Sequence, residues 1–221
     1  MGPQLRAVIF DLDGVIADTN ECYNRANRKL AEQLAVTISD AENESFKGIH
    51  RSVIVRTIAA KTGRSYTEED IAALGMKKNE YYQQLIADLT PLDLLPGIGT
   101  FLKELADEGI LIALASSSSN YRFVLERLGI GHYFQAIADP ARVERMKPAP
   151  DIFLLAADLL GIPYEECAAI EDGEAGLTAI LATPMFSIGV GSAPFLATAH
   201  WNVFDCAGLH LDELRQRFEK R

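Results

Sequence analysis

The chain has few cysteines and no excess of positive charge. Its 221 residues include three cysteines, Cys22, Cys167 and Cys206, which are far apart and form no Cys-x-x-Cys pair. Neither a zinc site nor a disulfide framework is therefore indicated. The formal net charge is −10 at pH 7, whereas a nucleic-acid-binding protein needs a basic face for the phosphate backbone. We expect no nucleic-acid partner, and a phosphate ligand would need positive charge gathered locally.

Long hydrophobic runs are also missing. No purely apolar run is longer than Ile110 to Ala115, which is far shorter than the roughly 20 residues that cross a bilayer. Residues 1–6 show no basic segment followed by an apolar one, which is the pattern of a secretory leader. We therefore expect no membrane partner, a cytoplasmic location and a monomer.

What the chain does contain is typical of a folded protein. Hydrophobic residues make up 48% and charged residues 24%, which leaves no case for disorder. The length suits one large domain, or one domain with a smaller insertion.

One stretch near the N-terminus joins an apolar run to two acidic residues. The apolar run that follows Arg6 ends on Asp11 and Asp13, and Gly14 comes next. This pattern predicts a buried parallel strand that delivers two carboxylates to the carboxyl edge of a sheet. Burying both without a cation would raise at least one pKa, so the pair predicts a divalent metal with oxygen ligands. A strand followed by a solvated acidic turn is the alternative, because this short motif alone is weak evidence.

The rest of the chain divides into a helical block and an alternating region. Residues 17–90 show helical periodicity only, with helices expected at about 20–35, 40–47, 51–62 and 67–89. Beyond residue 91, strands at 110–115, 136–138, 168–170 and 186–190 alternate with helices at 97–108, 121–128, 151–160 and 175–182. We therefore predict an α/β fold with a Rossmann-like parallel sheet, residues 1–16 and 91–221, and an inserted all-helical cap, residues 17–90.

Chemically active side chains follow several of these strands. Ser116 ends the second strand, Lys147 precedes a helix after the third, and Glu171 and Asp172 end the fourth. The carboxyl ends of parallel strands meet at one edge of a sheet, so these residues are expected to join Asp11 and Asp13. Carboxylates, a hydroxyl, a lysine and a metal together suit phosphoryl transfer.

These residues resemble the four ordered motifs of the haloacid dehalogenase superfamily. The matching positions are Asp11-Leu12-Asp13-Gly14-Val15, Ser116, Lys147-Pro148 and Glu171-Asp172. Further stretches resemble the β-phosphoglucomutase family within it: Asp18-Thr19, Lys47-Gly48-Ile49-His50-Arg51, Lys77-Lys78-Asn79, Ala113-Leu114-Ala115-Ser116, Ala138-Asp139-Pro140-Ala141 and Lys147-Pro148-Ala149-Pro150-Asp151-Ile152-Phe153. The resemblance covers essentially the whole chain.

The resemblance implies a role for each matching residue. Asp11 would be the nucleophile that becomes an aspartyl phosphate, and Asp13 the general acid and base. Ser116 and Lys147 would hold the phosphoryl oxygens in flight. Mg²⁺ would be held by the following groups: the Asp11 carboxylate, the Asp13 backbone carbonyl, Asp172 and, directly or through water, Glu171.

A mutase also needs a grip for the second phosphate of its bisphosphate intermediate. Arg51 is the best candidate, since its planar guanidinium binds phosphate bidentately. The other expected substrate-binding residues are Thr19, Gly48, Ile49, Lys78, Ser118, Ser119 and Asn120. Alternatives stay open, because Arg51 and Lys78 can equally be solvated helix surface and the serines a polar loop with one helix cap.

Two positions depart from the family pattern. This chain has Tyr23 where the family has a histidine in the first cap helix, and Ser119 where it has a lysine.

Three hypotheses about the function follow. The first is a mutase that interconverts β-D-glucose 1-phosphate and glucose 6-phosphate or acts on a related sugar phosphate. The second is a phosphatase of small phosphorylated metabolites, and the third a catalytically silent module. The intact acidic and basic set disfavours silence, because buried charges are costly to keep.

Overall fold

A computed structural model describes residues 2–221 and shows a parallel sheet with helices around it. The six strands are β1 (Ala7–Phe10), β2 (Leu111–Leu114), β3 (Ala136–Ile137), β4 (Cys167–Glu171), β5 (Phe186–Val190) and β6 (Trp201–Val203). They pair in the order β3-β2-β1-β4-β5-β6, and every neighbouring pair is parallel. Because β1 lies inside the sheet, the residues that follow it are placed near the middle of the carboxyl edge.

The helices fall into two groups. Between β1 and β2 lie α1 (Asn20–Gln33), α2 (Asp40–Glu44), α3 (Arg51–Ala60) and α4 (Glu68–Ile86). The helices that alternate with the later strands are α5 (Ile98–Asp107), α6 (Tyr121–Leu128), α7 (Asp151–Leu160), α8 (Glu174–Leu181) and α9 (Leu211–Glu219). This arrangement confirms the predicted fold class, an α/β sheet with an inserted helical cap.

The sheet is buried on both faces. Val8 and Phe10 of β1 belong to one hydrophobic cluster, while Ala7 and Ile9 belong to another. Successive side chains of a strand point to opposite faces, so each face has its own apolar layer. This explains why β1 is an unbroken apolar run rather than an alternating one.

The cap has a hydrophobic core of its own. Its buried residues are Leu30, Ala31, Ile38, Ile54, Val55, Ile58, Ala59 and Ile71. The two chain segments that join the cap to the sheet lie side by side, since the Leu95 N–H donates to the Ile16 carbonyl at 2.9 Å. The boundaries themselves, at residues 16/17 and 90/91, stay a prediction.

The structure differs from the prediction at the C-terminal end. β6 and α9 are not among the predicted elements. Leu211, Leu214 and Phe218 lie on the same side of α9 and pack into the core, where Phe218 is buried. Trp201 of β6 packs in the same cluster. No helix within residues 2–221 is both long and apolar enough to cross a membrane.

Candidate active site

A buried lysine connects two of the predicted acidic residues. The Lys147 ammonium donates to Asp11 Oδ1 at 2.5 Å and to Glu171 Oε2 at 2.8 Å, and its side chain is fully buried. Burial by itself lowers the pKa of Lys147, but the attraction of Asp11 and Glu171 outweighs this and raises it. Residues 136 positions apart in the chain therefore meet as a charged group at the carboxyl edge of the sheet.

Three carboxylates converge next to this lysine. One oxygen each from Asp11, Glu171 and Asp172 lie within 4.8 Å of one another. Burial, then repulsion by Glu171, raises the pKa of Asp11 well above its ordinary value and that of Asp172 to about 8. Two of these carboxylates are buried and Asp172 is partly buried, and Lys147 alone does not balance their negative charge. Oxygen ligands with excess negative charge fit a hard divalent cation, so this cluster can hold a metal ion.

Asp172 is also approached from the cap. Asn20 donates to its Oδ2 at 3.0 Å, and the Lys47 ammonium lies 3.7 Å from the same oxygen. Gly14 has a φ of +86°, and a Cβ there would lie 2.2 Å from Asp172 Oδ2. The glycine is thus required both by its backbone conformation and by the close approach of Asp172.

Asp13 faces the cap rather than the three-carboxylate cluster. Its backbone N–H donates to Asp11 Oδ2 at 3.0 Å, while its Oδ1 accepts from the Thr19 hydroxyl and, at 3.3 Å, from the Tyr82 hydroxyl. Burial raises the pKa of the Asp13 carboxyl to about 6, against the opposing effect of the Thr19 hydrogen bond. A carboxyl with such a pKa can give and accept a proton near neutral pH.

The loop after β2 links the core to the cap. Ser116 is buried, and its Oγ accepts from the Ser118 N–H at 3.0 Å. Ser118 accepts in turn from the Tyr23 hydroxyl at 2.7 Å, and Ser119 from the Arg51 guanidinium. Two more contacts across the same seam join Ser117 to the Gly48 carbonyl at 3.2 Å and Asn120 to Asn79 at 2.8 Å.

A cavity lies between cap and core. Its lining includes the predicted residues Asp13, Gly48, Ile49, Arg51, Lys78, Ser118, Ser119 and Asn120. Lys78 is only 1% exposed, and burial followed by repulsion from Arg51 lowers its pKa to about 7. Arg51 and Lys78 therefore line the same cavity as Asp13, as does Lys47, an arrangement that attracts an anion.

The predicted site residues fall into two groups. Asp13 and most of the substrate-binding residues line the cavity, whereas the following lie at the sheet edge and are not among its lining residues: Asp11, Ser116, Lys147, Glu171 and Asp172. Thr19 is fully buried against Asp13 and does not line the cavity, and Ser119 is exposed. Lys78, which could equally have been surface, is buried because α4 turns it toward the cavity. The histidines have structural contacts: His50 caps α3 and His200 bonds Ser187.

Three residues at the site were missed from the sequence. Tyr82 contacts Asp13, and Asn20 and Lys47 contact Asp172. Tyr82 lies one helical turn after Lys78, a spacing that could have indicated a shared face. Asn20 carried no such signal. Lys47 belongs to the family-like stretch Lys47-Gly48-Ile49-His50-Arg51 but was given no role of its own, because its contact with Asp172, like that of Asn20, depends on how the cap closes on the core.

Known proteins resemble this chain in sequence and in fold. The family model described as haloacid dehalogenase-like hydrolase matches residues 5–182. The β-phosphoglucomutase of Bacillus subtilis is 44% identical over 218 residues, covering 98% of this chain and 96% of the relative. The crystal structure of β-phosphoglucomutase from Clostridium difficile superimposes with a TM-score of 0.94 at 37% identity and covers 98% of both chains. A fructose-1-phosphate phosphatase of Escherichia coli is 27% identical over 184 residues, 83% of this chain and 95% of that protein.

The match thus extends over sheet and cap alike, and the residues that meet at the sheet edge are those that carry the family motifs. The chain therefore belongs to the haloacid dehalogenase-like hydrolases, among their β-phosphoglucomutase-like members.

Proposed function

We propose that the protein is a Mg²⁺-dependent phosphotransferase that interconverts β-D-glucose 1-phosphate and glucose 6-phosphate through a sugar bisphosphate. One observation carries the proposal: Arg51 and Lys78 of the cap line the same enclosed cavity as Asp13. A hydrolase of simple phosphate esters needs only the residues that transfer the phosphoryl group. A mutase needs, in addition, a second anion grip, and these two basic residues supply it.

In this proposal Asp11 is the nucleophile. Its carboxylate oxygen attacks the phosphorus of the bisphosphate, the bond between phosphorus and the sugar oxygen breaks, and an aspartyl phosphate forms. Asp13 gives its proton to the departing sugar oxygen and takes a proton from the attacking hydroxyl in the reverse direction. Lys147 lies 2.5 Å from Asp11, which places its charge where it can neutralise the oxygens of the transferring group, and Ser116 adds a hydroxyl donor.

Mg²⁺ is the metal proposed for the carboxylate cluster. Asp11, Asp172, the Asp13 backbone carbonyl and Glu171 would hold it, and when bound it supplies positive charge for the phosphoryl oxygens. The convergence of three carboxylates within 4.8 Å supports this assignment.

The distal phosphate is assigned to the cap side of the cavity. Arg51 provides the bidentate grip, and Lys78 adds a second positive charge. The Ser118 hydroxyl and the Asn120 amide are the neutral partners, while Gly48 and Ile49 bring cap backbone to the sugar. Since the cap closes over this space, water is kept from the aspartyl phosphate. A cytoplasmic location and a monomeric state complete the proposal.

The alternative is a phosphatase of small phosphorylated metabolites. Ser119 favours it, because this exposed, neutral residue adds no charge to the distal phosphate. Tyr23 favours it too, since burial and Asp13 raise the pKa of its phenol, so that it stays neutral where a histidine could be cationic. The E. coli relative, named as a phosphatase, shows that this fold also serves hydrolysis. Arg51 and Lys78 nevertheless favour the mutase.

One assay separates the two functions. The purified protein is incubated with Mg²⁺, β-glucose 1-phosphate and a trace of glucose 1,6-bisphosphate, and both glucose 6-phosphate and free phosphate are followed. Glucose 6-phosphate in large excess over phosphate is the expected result. Phosphate release without isomerisation would instead establish the phosphatase.

A further inference from the structure

Helix α1 turns a polar but uncharged stripe toward the cavity. Tyr23 and Asn24 lie three and four residues after Asn20, and Asn27 lies four and three residues after them, so the four residues share one side of the helix. All four line the cavity. Since none of them is charged, this wall suits neutral hydrogen-bonding groups rather than phosphate.

A chain of hydrogen bonds fixes the amide orientations at one end of this stripe. Asn43 Nδ2 donates to the Asn24 backbone carbonyl at 3.1 Å, and a carbonyl can only accept. Asn43 therefore turns its Oδ1 to Asn27, whose Nδ2 donates to it at 2.8 Å. These hydrogen bonds therefore decide which end of the Asn27 and Asn43 amides is nitrogen and which is oxygen.

These hydrogen bonds leave one acceptor atom without a partner. Asn27 Oδ1 is buried and has no hydrogen-bond partner among residues 2–221, and Asn27 as a whole is 1% exposed. Buried amide oxygens are normally satisfied, because an unpaired one destabilises the folded state. Its residue lines the cavity, so a molecule bound there can supply the missing donor.

We propose that α1 forms a hydroxyl-recognition subsite, in which Asn27 Oδ1 accepts a hydrogen bond from a hydroxyl of the sugar or sugar-alcohol part of the substrate. An ionised phosphate cannot take this place, because it offers acceptors only. The inference deepens the proposed function: it rests on a phosphorylated sugar as ligand of this cavity, but not on whether that ligand is isomerised or hydrolysed.

Equilibrium binding of glucose 6-phosphate and its monodeoxy analogues to the Mg²⁺-loaded full-length protein tests the subsite. For each protein variant the Kd of every analogue is divided by the Kd of the parent sugar phosphate. In the wild type, one monodeoxy analogue is expected to bind about tenfold more weakly, the usual effect of losing one hydrogen bond to a buried group. In Asn27→Leu that ratio is expected to fall to about one.

Gln33→Leu is the matched control. It makes the same kind of change, amide to leucine, on an exposed position of α1, and it should keep the wild-type ratios. Asn27→Asp, which retains an acceptor oxygen, should also keep the discrimination and provides the comparison if Asn27→Leu does not fold.

Several results would overturn the subsite. These are equal binding of the parent and every analogue by the wild type, an unchanged ratio in Asn27→Leu, a lost ratio in Asn27→Asp, and sugar phosphate binding no tighter than inorganic phosphate. Turnover of glucose 1-phosphate is measured separately. Isomerisation without the Asn27 effect would leave the mutase standing and reject the subsite, whereas the Asn27 effect without isomerisation would do the reverse.

Discussion

The position of the Glu171 carboxylate depends on its hydrogen bonds and on the room that Gly176 leaves for it. Its Oε2 accepts from Lys147 at 2.8 Å, and its Oε1 accepts from the Gly173 N–H at 3.0 Å. A Cβ added at Gly176 would lie 1.8 Å from Glu171 Oε2. The first turn of α8 thus leaves room for the carboxylate only because position 176 has no side chain.

Gly176→Ala should therefore damage the site without damaging the helix. Alanine favours a helix interior by about 1 kcal/mol over glycine, but the new methyl group must push Glu171 away from Lys147. We expect kcat/KM for phosphoryl transfer to fall at least about tenfold, with helix content by circular dichroism unchanged. Gly99→Ala in α5 is the control, because its Cβ meets its nearest neighbour at 3.9 Å. Equal activity of the two variants would refute the role of this space.

Lys78 predicts a pH dependence of substrate binding. Its pKa of about 7 in the free protein is low because burial and Arg51 disfavour its charge. A bound phosphate favours the charged form, so binding takes up a proton when the lysine is neutral. The protonated fraction falls from about one half at pH 7 to about one in a hundred at pH 9. KM for the sugar phosphate should therefore rise at least about tenfold over this range.

Steady-state kinetics of the wild type and Lys78→Met between pH 7 and 9 check this. The variant should have a higher KM at pH 7 and a flatter profile above it. A wild-type KM that stays constant to pH 9 would show that Lys78 does not titrate in this range or does not contact the phosphate.

At the scale of elements, the cap is stabilised by packing among its own helices. Ile58 of α3 is fully buried in the cap cluster, whereas Val53 on the same helix is 52% exposed. Ile58→Ala should lower the free energy of unfolding by about 2–5 kcal/mol. Val53→Ala should change it by no more than about 0.5 kcal/mol. Urea unfolding measures both, and similar values would contradict the assigned cap core.

The elements differ in how well the sequence predicted them. β1 was predicted because a strand buried on both faces is an unbroken apolar run, and α4 because Thr67 and the acidic residues after it form an N-terminal cap, which the structure shows as a capping box. β6 has only three residues and, unlike the still shorter β3, does not lie between two predicted helices that would mark it as a strand. The buried polar face of α1 was also missed, since whether Asn27 is buried depends on α2 and the core, not on α1 alone.

The residues of the candidate site likewise divide into those that the sequence predicted and those that it did not. Five site residues could be named because each lies near the end of a strand, and the topology of a parallel sheet brings such ends together: Asp11, Asp13, Ser116, Glu171 and Asp172. Lys147 lies ten residues beyond β3 and could be named from the Lys147-Pro148 motif before a helix. Lys78 stayed ambiguous, since a lysine on a helix is usually solvated. The contacts of Asn20 and Lys47 with Asp172 arise only where cap and core meet, a relation that no local pattern encodes, whereas the spacing of Tyr82 from Lys78 was a local signal.

At the scale of the whole molecule, the cap is bonded to the core around the cavity. Tyr23 to Ser118, Ser117 to Gly48, and Asn120 to Asn79 all cross the seam. Tyr23 also stacks on Tyr82, with ring centroids 3.9 Å apart. This chain therefore uses a neutral aromatic pair next to Asp13, at the position where the family pattern has a histidine.

The grip of the cap on a second phosphate is tested by the ratio of isomerisation to hydrolysis in two variants of α3. Arg51→Ala and Arg56→Ala remove the same side chain from α3, but Arg51 lines the cavity whereas Arg56 pairs with Glu68 on the surface. Such exposed pairs contribute about 0–1 kcal/mol. For each variant, the glucose 6-phosphate formed from β-glucose 1-phosphate and the rate of hydrolysis of a small phosphate ester are measured.

We expect the isomerisation rate of Arg51→Ala to fall at least about a hundredfold, the effect of removing a bidentate charged contact. Hydrolysis of the small ester should be retained. Arg56→Ala should retain both activities. A parallel loss of isomerisation and hydrolysis in Arg51→Ala, or an unchanged isomerisation rate, would contradict the distal-phosphate role of Arg51 and with it the mutase.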